Sequence, residues 1–539
     1  MMKKLSMVDK GFLVSEKREM PMHVGGVSLY TLPDGANEQD FLHGLANNMR
    51  DAEALLPPFG DRLKTGSMGL AGNAYWEPDG SLDMDYHIRH SALPKPGRYR
   101  ELFTLVSRLH STLLDRNRPL WEMHMIEGLE DRQFAVYTKT HHAAVDGARS
   151  VHLARSMLSA DPDYRLEESP LSLASWQRYK DSLKLGRKPD HSDEELRNVA
   201  DVLKATFDSG SNVYHALKGF AGAWAGRGGD LSLPHLHVPS SSLNVPIDSA
   251  RRFVAQSWPF ARIRAVAKAF DGTFNDAVLA MCAGALRQYL QTHAELPDES
   301  LKTLVPVSLR KAGDLDASNA VAAISVDLAT NVADPAARIT AIQASINAGK
   351  DYYSNMSSTE TELISMLMQS PSMLLMPMGL ISKLPPYNLT ISNVPGIQQT
   401  MYWNGAKLNG SYPLSIVTDG MAMNITLLTN NENVDFGIIA CRRSIPHVQR
   451  MIDYMEIALQ ELEDAAGLKA KPAAAKQRAG AKATRPKAKA RAKVTAKPKA
   501  KAKVTAKPKA KPKAKAKVKA KKNARPKAKA KSKSTARKA

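Results

Sequence analysis

The residues best equipped for chemistry lie in the stretch FAVYTKTHHAAVDGARSVHL, residues 134–153. His141 and His142 stand side by side, and Asp146 and Gly147 follow. An imidazole titrates near neutrality, so either ring is suited to taking or giving a proton during a reaction. The run leading into the pair alternates. Phe134, Val136, Thr138, Thr140 and His142 fall on one face of a strand, and Ala135, Tyr137, Lys139 and His141 on the other. Adjacent histidines on a strand therefore point opposite ways, and only one of them can face a reacting group. They do not suit joint ligation of one metal. No third His or Cys lies at a metal-ligand spacing, so no metal is expected. Asp146 stands where an N-cap would, and Gly147 permits a tight turn.

The elements that must hold these residues follow from periodicity. WEMHMIE (121–127) reads as a strand with Trp121, Met123 and Met125 on one face. LEDR turns the chain, and FAVYTKTHH returns it as an antiparallel partner. GARSVHLARSML has helical spacing through Val151, Ala154 and Leu158. A second helix is expected in GTFNDAVLAMCAGALRQYL, capped by Thr273 or Asn275, with Val278, Cys282, Leu286 and Tyr289 on one face. Strand-like runs follow at 304–309, 322–328, 388–396, 422–428 and 434–440, with helices between several of them, so the fold class is α/β. Residues 160–240 are poorly patterned, with charge clusters and the Gly-rich piece GFAGAWAGRGGD. The expected division is a first half at 1–185, a crossover linker at 186–240, a second half at 241–467 and a tail at 468–539. The Met-rich run at 363–386, broken by Pro371 and Pro377, suits a greasy tunnel, a lipid interface or ordinary core.

The chain has 539 residues and a formal net charge of +22, but the charge is unevenly distributed. Residues 469–539 hold 30 of the 75 Lys and Arg and no acidic residue, which leaves 45 basic against 53 acidic residues in 1–468, a body of −8. The tail is Lys, Ala and Pro, with KVTAKPKAKA from Lys493 returning as KVTAKPKAKP from Lys503. It has almost nothing to bury, so it is expected to be disordered. Its partners by electrostatics alone are DNA, through counterion release, or anionic lipid; a purely solubilising role is the plain alternative. Two cysteines, Cys282 and Cys441, make no disulfide framework. The start is basic but lacks the apolar core of a secretory signal, and no apolar run is long enough to span a membrane. A cytoplasmic protein, peripherally associated with membrane or lipid bodies, is expected.

HHAAVDG fits HHxxxDG, the signature of the CoA-dependent acyltransferase superfamily. The chain resembles one branch of it, the bacterial wax ester synthase/diacylglycerol acyltransferase family. PMHVGG (21–26), YHIRHSALPKPG (86–97), NRPLWE (117–122), Asn275-Asp276, PVSLR (306–310) and SNVPG (392–396) are similar to that family's motifs and stand in order over about residues 1–465. The tail lies outside the resemblance and is itself similar to linker-histone arms. Two departures are Ser318-Asn319 and Thr429-Asn430, where the family tends to Gly-Asn and Ser-Tyr.

The resemblance implies two chloramphenicol-acetyltransferase-like domains with an active-site tunnel between them. It implies transfer of a long-chain acyl group from acyl-CoA to a fatty alcohol or diacylglycerol, giving wax ester or triacylglycerol. Acyl-CoA is a substrate, and no cofactor or metal is required. His142 is the implied general base, His141 a supporting residue, Asp146 an orienting one with Arg310 as a candidate partner, and Gly147 the motif turn. Asn275, or a backbone amide near it, is a candidate oxyanion donor. Trp121, Ser392 and Asn393 are candidate substrate contacts, with core anchorage the other reading of Trp121. The rival functions are acylation of another hydroxyl and a nonenzymatic tether acting through the tail.

Overall fold

The computed structural model describes residues 3–52, 54–145, 147–184, 238–308, 321–354, 375–376 and 378–468. Asp146, Arg310, Ser318-Asn319, most of the linker, much of the Met-rich run and the tail beyond Leu468 lie outside the described residues.

The first half runs β1 (Lys3–Lys4), α1 (Met7–Ser15), β2 (His23–Thr31), α2 (Glu38–Arg50), β3 (Asp61–Gly66), β4 (Gly69–Pro78), α3 (Met84–His87), β5 (Ile88–Ala92), α4 (Tyr99–His110), β6 (Trp121–Glu127), β7 (Gln133–His141), α5 (Gly147–Ser156) and α6 (Leu173–Lys184). The second runs β8 (Arg251–Pro259), α7 (Phe260–Ala269), α8 (Phe274–Thr292), β9 (Lys302–Ser308), β10 (Val321–Asp327), α9 (Pro335–Ser354), β11 (Leu389–Ile397), β12 (Tyr402–Trp403), β13 (Ala406–Leu414), β14 (Met423–Asn430), β15 (Asn433–Cys441) and α10 (Arg450–Ala465).

These strands form two six-stranded sheets, in the orders β12-β13-β2-β7-β6-β5 and β10-β9-β11-β14-β15-β8, and a small sheet β1-β4-β3. The α/β expectation is met. The 121–127 and 134–142 runs form the expected antiparallel hairpin, β6 with β7, although the second strand spans Gln133–His141 and leaves His142 outside it. In the five-residue connection 128–132, Asp131 and Arg132 both take positive φ, 60° and 55°, as the chain turns back. Phe134 and Val136 enter one core cluster with Trp121, Met123 and Met125, while Ala135 and Tyr137 enter another. Each face of β7 therefore has its own core.

α8 is buried on all sides from Asp276 to Leu286, as an apolar surround predicts. Its N-cap is Thr273, whose hydroxyl accepts from the Asp276 N–H at 3.3 Å while Asp276 Oδ2 accepts from the Thr273 N–H at 2.7 Å. Asn275 is thus the second helical residue, not the cap. The helix approaches α10 so closely that a Cβ at Gly284 would lie 2.7 Å from Ala458 Cβ.

The two sheets are joined in two ways that periodicity does not reveal. Residues 402–414 follow β11 of the second sheet yet are added to the first, where β13 pairs antiparallel with β2. β13 also rests on the second sheet. The Ser411 N–H donates to Asp435 Oδ2 at 2.7 Å, and a Cβ at Gly437 would lie 1.9 Å from the Pro413 carbonyl. On the far side, α4 covers the edge of β8. Ser107 and Ser111, four residues apart and so on one helix face, each accept a hydrogen bond at 2.9 Å from the edge N–H groups of Phe253 and Arg251. An exposed strand edge is satisfied without another strand.

Candidate active site

β7 carries the histidine pair to the point where the first sheet ends. His141 is the last strand residue and faces His23 across the β2–β7 register. Its N–H donates to the Leu120 carbonyl at 2.9 Å. Its ring is fully buried, and Nδ1 accepts from the Ala143 N–H at 3.0 Å. A backbone N–H can only donate, so Nδ1 is the bare nitrogen and Nε2 carries the proton. Nε2 lies 3.4 Å from Glu16 Oε1, a contact that is electrostatic more than a well-aligned hydrogen bond.

His142 opens the turn. Its N–H donates to the Met22 carbonyl at 2.9 Å, and its half-buried ring stacks on Phe12 with centroids 4.2 Å apart and planes 19° from parallel. The strand ends at His141, so the expected alternation does not reach His142; one histidine is sealed in the core and the other, in the turn, retains accessible surface. Gly147 begins α5. Arg155, near the end of that helix, donates to the carbonyls of Pro395 and Gly396 on β11. The helix after the motif is thereby fixed to the SNVPG strand.

Three of the quoted motifs meet this turn or the helix that follows it. PMHVGG supplies Met22 to His142 and His23 opposite His141. A Cβ at Gly25 would lie 2.3 Å from the Thr138 carbonyl, so the close approach of β2 to β7 requires glycine there. NRPLWE supplies Leu120 to His141. In SNVPG, a Cβ at Gly396 would lie 1.7 Å from the Thr429 carbonyl.

Beneath the turn lies a buried polar layer. The Lys139 ammonium, on the His141 face, donates to the Leu109 and Thr112 carbonyls at 3.2 Å and pairs with Glu122 Oε2 at 3.2 Å. It caps the C-terminal end of α4, where a cation is favoured. Burial pulls the Lys139 pKa down, with Glu122 opposing. Burial alone would raise the Glu122 carboxyl, but His124, Lys139 and Arg89 bring it down to about 2. His110 shares a 2.8 Å hydrogen bond with the Tyr137 hydroxyl, and burial lowers its pKa to about 3. His23 Nε2 donates to the His110 carbonyl at 2.9 Å, and burial holds this ring well below the usual imidazole range. Both rings are neutral at pH 7.

The other candidates are placed as follows. Trp121 is a core anchor: its Nε1–H donates to the Phe59 carbonyl at 2.9 Å and its ring stacks on His87 at 4.5 Å. With 2% exposure, its surface is committed to protein. Ser392 and Asn393 sit half-buried on β11, opposite Thr426 and Leu427 of β14. Among the described residues half-buried Asn275 makes no side-chain hydrogen bond. No cluster of His, Cys, Asp or Glu suited to a metal occurs among the described residues. Sequence reasoning missed Phe12 and Glu16. Their spacing of four on a helix was the available signal, but nothing local says what that face touches.

Two family models match the chain. One, described as a wax ester synthase/diacylglycerol acyltransferase catalytic domain, covers residues 5–278, and one described as a WS/DGAT C-terminal domain covers 317–463. A probable diacylglycerol O-acyltransferase of Mycobacterium tuberculosis is 43% identical over 466 residues, which is 85% of this chain and 98% of that protein. A solved wax ester synthase/diacylglycerol acyltransferase from Marinobacter aquaeolei VT8 is 39% identical with a TM-score of 0.68, and the match covers 86% of this chain and all of that one. The first condensation domain of the calcium-dependent antibiotic synthetase shares the fold, with a TM-score of 0.51 at 12% identity over 86% of this chain and 96% of that one.

Proposed function

The chain belongs to the wax ester synthase/diacylglycerol acyltransferase family, and from that premise we propose that it uses acyl-CoA as donor and His142 as general base. The family makes it an O-acyltransferase acting on an alcohol or diacylglycerol. The observation that carries the assignment of the base is the unequal placement of the two rings. His141 is sealed, with Nδ1 committed to Ala143 and Nε2 turned to Glu16, whereas His142 is the half-buried one.

His142 takes the hydroxyl proton as the alcohol oxygen attacks the thioester carbonyl carbon. A C–O bond forms, and the oxyanion collapses as the C–S bond breaks. The CoA thiolate then leaves with the proton from the imidazolium. Asn275, uncommitted near the start of α8, is offered as donor to the oxyanion, a role worth about 10²–10³ in rate. Each methylene of a buried acyl chain adds about 0.8 kcal/mol of gross binding, before association costs. An apolar tunnel between the halves would supply that burial.

Among the described residues no helix is long and apolar enough to cross a membrane. The lipid substrates favour peripheral attachment at a membrane or lipid-body surface. The basic residues of 469–539 would add non-specific binding to DNA or anionic lipid, steeply weakened by salt.

The test is CoA release from a C16 acyl-CoA, with hexadecanol or diacylglycerol as acceptor and the ester identified directly. Ester formation that fails in His142→Ala supports the reading. A folded wild-type protein that acylates neither acceptor would shift it to another hydroxyl, or to a tether. Gel shifts of full-length and 1–468 proteins over a salt series test the tail; equal indifference to DNA at low salt removes that role.

A further inference from the structure

α1 places two side chains against the histidine turn. Phe12 and Glu16 are four residues apart, so they share one helical face. Phe12 stacks on the His142 ring. Glu16, the C-cap residue of α1, is 2% exposed at its side chain although it is a carboxylate. Such burial is costly unless every lone pair is matched, and here the partners are specific. Oε2 accepts from Arg116 Nε at 3.1 Å and from the same guanidinium's terminal nitrogen at 2.9 Å. Oε1 accepts from the Met22 N–H at 3.1 Å and faces the His141 Nε2–H at 3.4 Å. Although burial opposes ionisation, His141, the Met22 amide and Arg116 together hold the carboxyl below its usual range.

Two routes lead from this carboxylate to His142. One runs through the Met22 backbone, whose N–H is bound by Glu16 and whose carbonyl accepts the His142 N–H at 2.9 Å. The other runs through the His141 ring. The charge facing Nε2 favours the tautomer with the proton there, which leaves Nδ1 bare to accept the Ala143 N–H and hold the turn. A carboxylate that only tied α1 to Arg116 would need neither contact.

We propose that Glu16 is a positioning residue for acyl transfer, acting through Met22 and His141 to fix the backbone and ring of His142. The inference rests on His142 as the base. Glu16→Gln is the informative change. An amide offers one acceptor oxygen where the carboxylate offers two, so either Arg116 or the Met22–His141 side loses its partner.

The experiment measures kcat and KM for acyl-CoA, with melting temperatures, on full-length wild type, Glu16→Gln, Leu13→Ala and His142→Ala. Leu13 is buried on the same helix, in the apolar cluster that also holds Leu120 and Ala143, and its side chain makes no hydrogen bond, so it tests packing against the turn without the carboxylate. A misplaced base is expected to lower kcat about 10–100-fold in Glu16→Gln, with KM changed less than about 3-fold. Leu13→Ala lowers the melting temperature with kcat per folded molecule kept. Selective ¹⁵N labelling of histidine reads the His141 tautomer, which shifts in Glu16→Gln and not in Leu13→Ala. Wild-type kcat in folded Glu16→Gln overturns the proposal, as does a loss of kcat in Leu13→Ala equal to that in Glu16→Gln. If Glu16→Gln does not fold, Arg116→Met replaces it, because that side chain is 37% exposed. An unchanged kcat there overturns the proposal equally. Full activity in His142→Ala sinks the base assignment itself, whereas an inactive His142→Ala beside a fully active Glu16→Gln sinks only the role of Glu16.

Discussion

On one face each, the two six-stranded sheets bury different kinds of surface. Under β7 in the first sheet, Tyr137, Lys139 and His141 face inward and meet His23, His110, Glu122 and Glu16, each held by named partners. In the second sheet β15 is buried from Val434 to Cys441 and, with β14, presents Ile425, Leu427, Phe436, Ile438 and Ile439 to the core, beside a helix enclosed on all sides. Asp435 is a fully buried carboxylate there, and its burial pushes the carboxyl up to about 6 while Ser257, the Ser411 N–H and Asn430 bond to it. Apolar burial is strong and non-directional. Hydrogen bonds contribute less net stability but specify distances and angles. The second sheet is built for stability and the first for geometry, and the histidine turn belongs to the first.

That contrast can be broken at either side. The largest effect is expected from His142→Ala: a fall of about 10²–10⁴ in kcat with an unaltered melting curve, read by CoA release and calorimetry on one preparation. The reverse pattern is expected from Leu286→Ala on α8. Removing a fully buried side chain should cost about 2–5 kcal/mol in denaturant titrations, with kcat per folded molecule unchanged. Ser107→Ala leaves the buried Phe253 N–H without its acceptor and should cost about 1–3 kcal/mol, loosening α4 from the edge of β8. Urea titration of that variant measures it, and an unchanged midpoint would show the staple to be idle.

The effect smallest per unit of change concerns acid. An unfolded histidine protonates near 6.5, but His110 in the fold holds out to about 3. Between those values the unfolded chain binds the extra proton, so stability falls as pH falls, by up to about 1.4 kcal/mol per pH unit for one such group. His110→Asn should flatten that slope by about one proton between pH 6 and 4, measured by chemical unfolding at several pH values. Asp435 acts with the opposite sign. Its raised pKa makes the folded state bind the extra proton between about 3.8 and 6, so it favours folding as pH falls there.

Where a periodic run was strong, the sequence was readable. All five strand-like runs after residue 300 are strands, because each is a short apolar or alternating segment bounded by turns. The β6–β7 hairpin followed from a period of two, whereas His142 falls just past the strand end, where that period no longer applies. β13 did not stand out: AKLNGSYPL holds two glycine or proline residues and weak apolar content, and its partners lie nearly 400 residues away in the chain. Lys139 was placed on the His141 face of the strand, but its role there was not legible, because only the fold brings the end of α4 over it. Glu16 was invisible for the same reason, since its meaning lies in contacts with Arg116 and His141, 100 and 125 positions later. Trp121 carried a family motif, yet the deciding fact was the Phe59 carbonyl that takes its N–H.

The crossing of β13 into the first sheet also sets a schedule for synthesis. β2 leaves the ribosome early, but the neighbour that covers its outer edge begins at Ala406, 375 residues after Thr31. At about 5–20 residues per second the edge waits roughly 20–75 s for that strand. Throughout that time a nine-residue strand with Val27, Leu29 and Tyr30 is open on one side, the kind of edge that pairs with other chains. Nascent chains stalled before residue 402 should therefore depend on chaperones far more than chains stalled after 414. The last stretch of the second half is what releases the first from that dependence.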